Sequence, residues 1–129
     1  MEAVNTGVDI QSSFMNLKEI DLDKVRDDVM NVIAPGESII QAFKTIRDQV
    51  IFTDKRVITV NVQNLVGKRV SFFSYPYSKI QYYGIETAGV LDIDSELILA
   101  FSDGIKLTFD FRSRVDIKNI SANIQKYTM

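Results

Sequence analysis

Any chemistry in this chain is done without the two most versatile side chains, because its 129 residues include no histidine and no cysteine. Histidine is the commonest general base and transition-metal ligand. Cysteine supplies thiolate nucleophiles, disulfides and zinc sites. Carboxylates, lysines, tyrosines and hydroxyls remain, with Mg²⁺ or Ca²⁺ as the metals such groups could hold. No nucleophile stands beside a base in a recognisable motif, and no Gly-rich loop could cradle a phosphate. An enzyme is therefore not expected, and no cofactor is implied.

Grouped cations are the next candidates. Lys44 and Arg47 flank a short turn, Lys55 and Arg56 close Thr53-Asp54-Lys55-Arg56, and Lys68 and Arg69 follow Gly67. Clustered Lys and Arg suit phosphate geometry, so these six are candidate anion-binding residues. The plainer reading is solvated turns with a local Arg47–Asp48 pair. Asp92, Asp94 and Glu96 alternate, with Glu86 a little upstream. The glycine-punctuated Ca²⁺ loop is missing, so a polar loop running into a strand is expected there, without a metal.

The densest aromatic region holds Phe72, Phe73, Tyr75, Tyr77, Tyr82 and Tyr83. On strands, neighbouring side chains alternate faces, so some of these rings must leave the core side. Two readings stay open: cross-strand packing on both faces, or a surface covered by another subunit. On the second reading Phe73, Tyr75, Tyr77, Tyr82 and Tyr83 form an oligomer interface.

The elements that must position these residues are legible from periodicity. Met1 to Asn16 is ambiguous: Val8, Ile10, Phe14 and Leu17 could line a short helix, or the segment could be a loose arm. Leu22, Val25, Val29 and Val32/Ile33 recur at helical spacing, predicting a helix over 21–33 with Asp21 as N-cap. Pro35-Gly36 stops it and marks the internal boundary. The expected division is an N-terminal arm and helix over 1–34 and a β-rich domain over 35–129.

From Glu37 the period changes to two. Strands are expected at 39–43, 49–52, 57–62, 69–75, 80–86 and 96–101, with a longer connection from Thr87 to Asp94. Ser102-Asp103-Gly104 supplies the positive φ of a hairpin turn. Its partner strand alternates Ile105, Leu107, Phe109 and Phe111 with Lys106, Thr108, Asp110 and Arg112, one face buried and one wet. Asp116 can cap a last helix whose Ile117, Ile120, Ile124 and Tyr127 make one apolar stripe. Seven antiparallel strands followed by that helix suggest a strongly bent sheet or partly open barrel with the helix in one open end. Burying the three isoleucines is worth roughly 2 kcal/mol each.

In that order and spacing, Gly36-Glu37, Arg47-Asp48, Phe52-Thr53 with Lys55-Arg56, Gly67-Lys68, Pro76-Tyr77, Glu86-Thr87-Ala88-Gly89 and Asp92-Ile93-Asp94 before Glu96-Leu97 are similar to segments of one family. The chain resembles the bacterial pleckstrin-homology (PH) domain family, long filed as a domain of unknown function, from about Asp21 to Tyr127. The resemblance implies an α+β, mainly β fold: a seven-stranded bent sheet capped by a C-terminal helix, without known catalysis, and with a tendency to form homo-oligomers. In eukaryotic PH domains the loop corresponding to Lys44–Arg47 carries the basic residues that grip inositol phosphates.

Length and composition fit one domain with a real core, at 46% hydrophobic and 25% charged residues. A net charge of −2 with mixed signs argues against a general nucleic-acid binder. It also argues against a surface held on anionic lipid by electrostatics alone. No run reaches the length of a membrane-spanning helix. The acidic start lacks the basic and apolar regions of a secretory signal, so the cytoplasm is the expected location. The expected function is protein–protein interaction, including self-assembly into a homo-oligomer of more than two subunits. A module for a lipid head group or other anion is the alternative.

Overall fold

The computed structural model describes residues 11–63, 69–87, 95–112 and 117–128. Among them eight strands form one curled sheet in the order β5-β4-β3-β2-β1-β8-β7-β6. The strands are β1 (Gln11–Ile20), β2 (Ile39–Lys44), β3 (Gln49–Thr53), β4 (Arg56–Gln63), β5 (Arg69–Pro76), β6 (Ile80–Glu86), β7 (Glu96–Phe101) and β8 (Lys106–Phe111). One helix follows, α1 (Ile117–Thr128). β2 to β8 are the seven strands expected from alternation.

The inner face carries the main core. Phe43, Val50, Phe52, Val57, Tyr75 and Tyr77 from one half meet Leu97, Leu99, Leu107, Phe109 and Phe111 from the other. Phe52 joins the halves, with its ring 5.5 Å from Phe109 and 5.7 Å from Phe43. The helix lays Ile117, Ile120 and Ile124 onto this cluster, as its apolar stripe dictates. Asp116, its expected cap, lies outside the described residues. Tyr127, at the end of the stripe, stays partly exposed, its ring 6.1 Å from that of Tyr77.

Two expectations for the N-terminal third are corrected. From Gln11 onward the short helix or loose arm is neither: β1 is a strand that joins the two halves of the sheet. It pairs antiparallel with β2 (Lys18↔Lys44) and parallel with β8 (Phe14↔Phe109, Leu17↔Phe111). Its register shifts between Phe14 and Leu17, where Asn16 takes a φ of 60°. A bulge with one residue in the left-handed region suits asparagine, whose short polar side chain tolerates it. Both flanking apolar residues thereby turn inward, with Leu17 buried and Phe14 stacked on Phe109 at 5.2 Å. Val8 and Ile10 lie outside the described residues.

The helix expected over 21–33 is two 3-10 turns, Leu22–Lys24 and Asp27–Asn31, separated by extended Val25 and Arg26. Asp21 makes no capping hydrogen bond through its side chain. The Gln49 amide occupies the break: its Oε1 accepts the Arg26 N–H at 3.1 Å and its Nε2 donates to Lys24 O at 3.2 Å. A continuous helix would pair those backbone groups internally. The segment instead drops Val25 and Val29 onto Ala42, Ile51, Ile58 and Val60 on the outer face of the sheet. That second layer explains why β3 and β4 are buried on both sides and read as nearly continuous apolar runs.

Candidate functional site

Of the six cations singled out in the sequence, the five within the described residues divide between opposite ends of the β2–β5 sheet. At one end, Arg56 is absorbed into a buried knot. Its guanidinium donates to both Glu37 oxygens at 2.8 and 2.9 Å, to the Ser74 hydroxyl at 2.8 Å, and to the Val32 carbonyl. The Glu37 side chain is only 1% exposed and also accepts the Thr53 hydroxyl at 2.6 Å and the Ala34 N–H at 2.9 Å. Burial opposes ionisation of this carboxyl. The Arg56, Thr53 and Ala34 donors outweigh it and hold the pKa at about 2. Tyr77 closes the knot from the core, donating to Thr53 O at 2.7 Å. Burial, with the Asp54 and Glu37 charges, pushes its phenol pKa up, so the hydroxyl stays a donor. With its donors taken up in the fold, Arg56 is a structural residue; Lys55 beside it is exposed.

Lys44 and Arg47 lie at the other end of the sheet. They line an open groove of about 740 Å³ together with Met15, Asn16, Lys18, Thr45, Ile46, Asp48 and Arg112. The β2–β3 turn is tied by Thr45 N–H to Asp48 O at 2.9 Å and by Asp48 N–H to the Thr45 hydroxyl at 3.1 Å. The Asp48 carboxylate accepts the Val62 N–H at 2.9 Å, which ties the turn to β4. The β1 bulge forms the opposite wall. Arg112 N–H donates to Leu17 O at 2.9 Å, and Arg112 Nε donates to Asn16 Oδ1 at 2.6 Å. Arg69 is exposed at the start of β5, opposite Gln63, and does not line this groove. Lys68 lies outside the described residues.

Sequence reasoning missed Lys18, Asn16 and Arg112. Lys18 and Arg112 sit far from the turn in sequence, and only the pairing of β1 between β2 and β8 brings them to it. No local signal announces that pairing.

The aromatic candidates also separate. Tyr75 and Tyr77 are core residues, and Phe73 and Tyr83 pack partly buried against the core. Tyr82 points outward and is 56% exposed. The alternation of strand faces explains the division between Tyr82 and Tyr83. Phe73 and Tyr75 are on β5 and Tyr82 and Tyr83 on β6, the two ends of the sheet order, and Tyr77 opens the 3-10 turn between them. Of the acidic candidates, Asp92 and Asp94 lie outside the described residues. Glu96 pairs across the ladder with Glu86 on one side and Asp110 on the other.

A curled sheet of this order, closed at one end by a C-terminal helix, defines a PH-type domain. The chain belongs to the bacterial PH domain family, whose model matches residues 10–128. It is similar to a DUF1696 family protein with a pleckstrin-homology domain from Shewanella loihica PV-4, at a TM-score of 0.72 and 32% identity, covering 89% of this chain and 99% of that one. A pleckstrin homology domain from Shewanella amazonensis SB2B matches at a TM-score of 0.59 and 34% identity, over 87% of this chain and 91% of that one. Among curated proteins, the uncharacterized protein YjqA of Bacillus subtilis is 40% identical over 82 residues. Those residues are 64% of this chain and 66% of YjqA, so the match spans just under two thirds of that relative. No described helix is long and apolar enough to cross a membrane.

Proposed function

We propose that the protein is a non-catalytic interaction module that assembles with copies of itself through the free edges of its sheet, in the cytoplasm. The observation that carries this reading is the sheet order, which among the described residues ends on β5 and β6 with no strand beyond either. Unpaired N–H and C=O groups on an edge strand are a template for another chain. The two edges differ in sequence, so a β5-to-β6 contact is head-to-tail, and such contacts close into rings of more than two subunits when the rotation permits. Phe73 at one edge and Tyr82 and Tyr83 at the other add apolar surface to the backbone pairing. Tyr75 and Tyr77 support the edges from within the core rather than meeting a neighbour.

Tyr82→Asp tests the reading. Tyr82 contributes little to the core, so the variant should melt within a few degrees of wild type while its sedimentation coefficient falls toward that of a monomer. An unchanged coefficient would take Tyr82 out of the contact.

A further inference from the structure

Residues 21–33 carry a helical pattern that the fold does not use. Leu22, Val25, Val29, Val32 and Ile33 recur at helical spacing, yet the chain makes two 3-10 turns with Val25 and Arg26 extended between them. A 3-10 interruption in a helical sequence marks a hinge or strain, and a conflict between local pattern and fold is expected at strained or functional sites. The break strands one member of the stripe: Leu22 is 48% exposed, while Val25 and Val29 are buried.

Two contacts hold the break open. The Gln49 amide bonds Arg26 N–H at 3.1 Å and Lys24 O at 3.2 Å. The Arg26 guanidinium grips both Asp28 oxygens, at 3.1 and 2.9 Å. Residues two apart do not face each other on an α-helix, so the Arg26–Asp28 pair belongs to the broken form alone. Every group held this way has a second partner if the break closes. Arg26 N–H would donate to Leu22 O, and Asp28 N–H to Lys24 O. The Asp28 carboxylate would face Lys24, one turn back, and Leu22 would rejoin the face of Val25 and Val29. Two arrangements that satisfy the same backbone groups are what a bistable element requires.

The latch stands at the foot of the β2–β3 turn. Gln49 opens β3 directly opposite Lys44, and the neighbouring Asp48 ties the turn to β4 through the Val62 N–H. A shift of the turn therefore withdraws the amide from the break. We propose that residues 21–33 are a conformational switch, held as two 3-10 turns by Gln49 and closing into one α-helix when the β2–β3 turn moves. Val25 and Val29 cover Ala42, Ile51, Ile58 and Val60, so closing the break re-seats the layer over the outer face of the sheet. The device needs neither sheet edge, so it holds for a monomer or an assembly.

The test is the Cα chemical shifts of the full chain by NMR. In the wild type Val25 and Arg26 should report extended backbone. Gln49→Ala removes both amide bonds and should move the two shifts toward helical values; Gln49→Leu, which keeps more of the bulk, decides the matter if the first variant does not fold. Asp27→Pro is the control. Asp27 is exposed and opens the second turn behind an extended residue, a position that suits proline, whereas a helix running through it is forbidden. Added to the Gln49 variant, it should restore the extended shifts. Asp48→Ala loosens the turn and should move the shifts part of the way. Shifts that stay extended in the Gln49 variants, or fall to random-coil values across 21–33, would overturn the proposal, as would helical shifts that survive Asp27→Pro. Unmoved shifts in Asp48→Ala would overturn the link to the turn.

Discussion

Glu37 shows how one residue can fix the pH range of a fold. Its carboxylate takes two donors from Arg56, one from Thr53 and one from Ala34 while almost wholly out of water. A folded pKa of about 2 lies below the ordinary 4.5, so the folded state binds fewer protons than the unfolded chain between those values. The stabilisation is therefore fully present above about pH 4.5 and is lost as pH falls toward 2. Its size at neutral pH is roughly 3 kcal/mol, from the shift and from the cost of leaving the Arg56 charge unanswered. Glu37→Gln should lower stability by about that amount at pH 7 in a denaturant melt. It should also flatten the acid dependence that wild type shows below 4.5. A variant as stable as wild type at pH 7 would contradict the role given to the pair.

At the level of elements, the helix is a structural component of the barrel. Ile120 is buried on the core cluster, so Ile120→Asp places an unpaired carboxylate there, a mechanism behind the largest stability losses. The cooperative thermal transition should disappear; a melting temperature within a few degrees of wild type would mean the helix does not dock. The strands this helix covers were readable because β2 to β8 alternate cleanly or run apolar where both faces are covered. β1 was not readable, and its bulge is the reason. By setting Met15 and Asn16 against the single residue Asp110, the bulge puts inward-facing Phe14 and Leu17 three apart, which is helical spacing. The spacing over 21–33 misled in the same way. Val25 and Val29 are four apart because each caps the outer sheet face, while the Gln49 amide holds the break at Val25–Arg26 between two 3-10 turns. The groove was half legible for a related reason: Lys44 and Arg47 mark a turn, but Lys18 and Arg112 reach it only through β1.

At the scale of the whole molecule, the sheet covers its inner face with its own other half and α1, and much of its outer face with residues 21–33. Among the described residues, its two edge strands have no strand on their outer sides. β5 and β6 are consecutive in sequence yet lie at opposite ends of the strand order, so each copy offers two different edges to its neighbours. Mixed surface charge with a net of −2 does little to keep copies apart. Association through such edges is a mass-action equilibrium, so the assembly should persist on dilution only to the contact's own affinity. Multi-angle light scattering of the wild-type chain across a dilution series measures this most directly. The account predicts a plateau mass of more than two subunits that falls toward the 14.7 kDa monomer at low concentration. A strictly monomeric mass at tens of micromolar would contradict it.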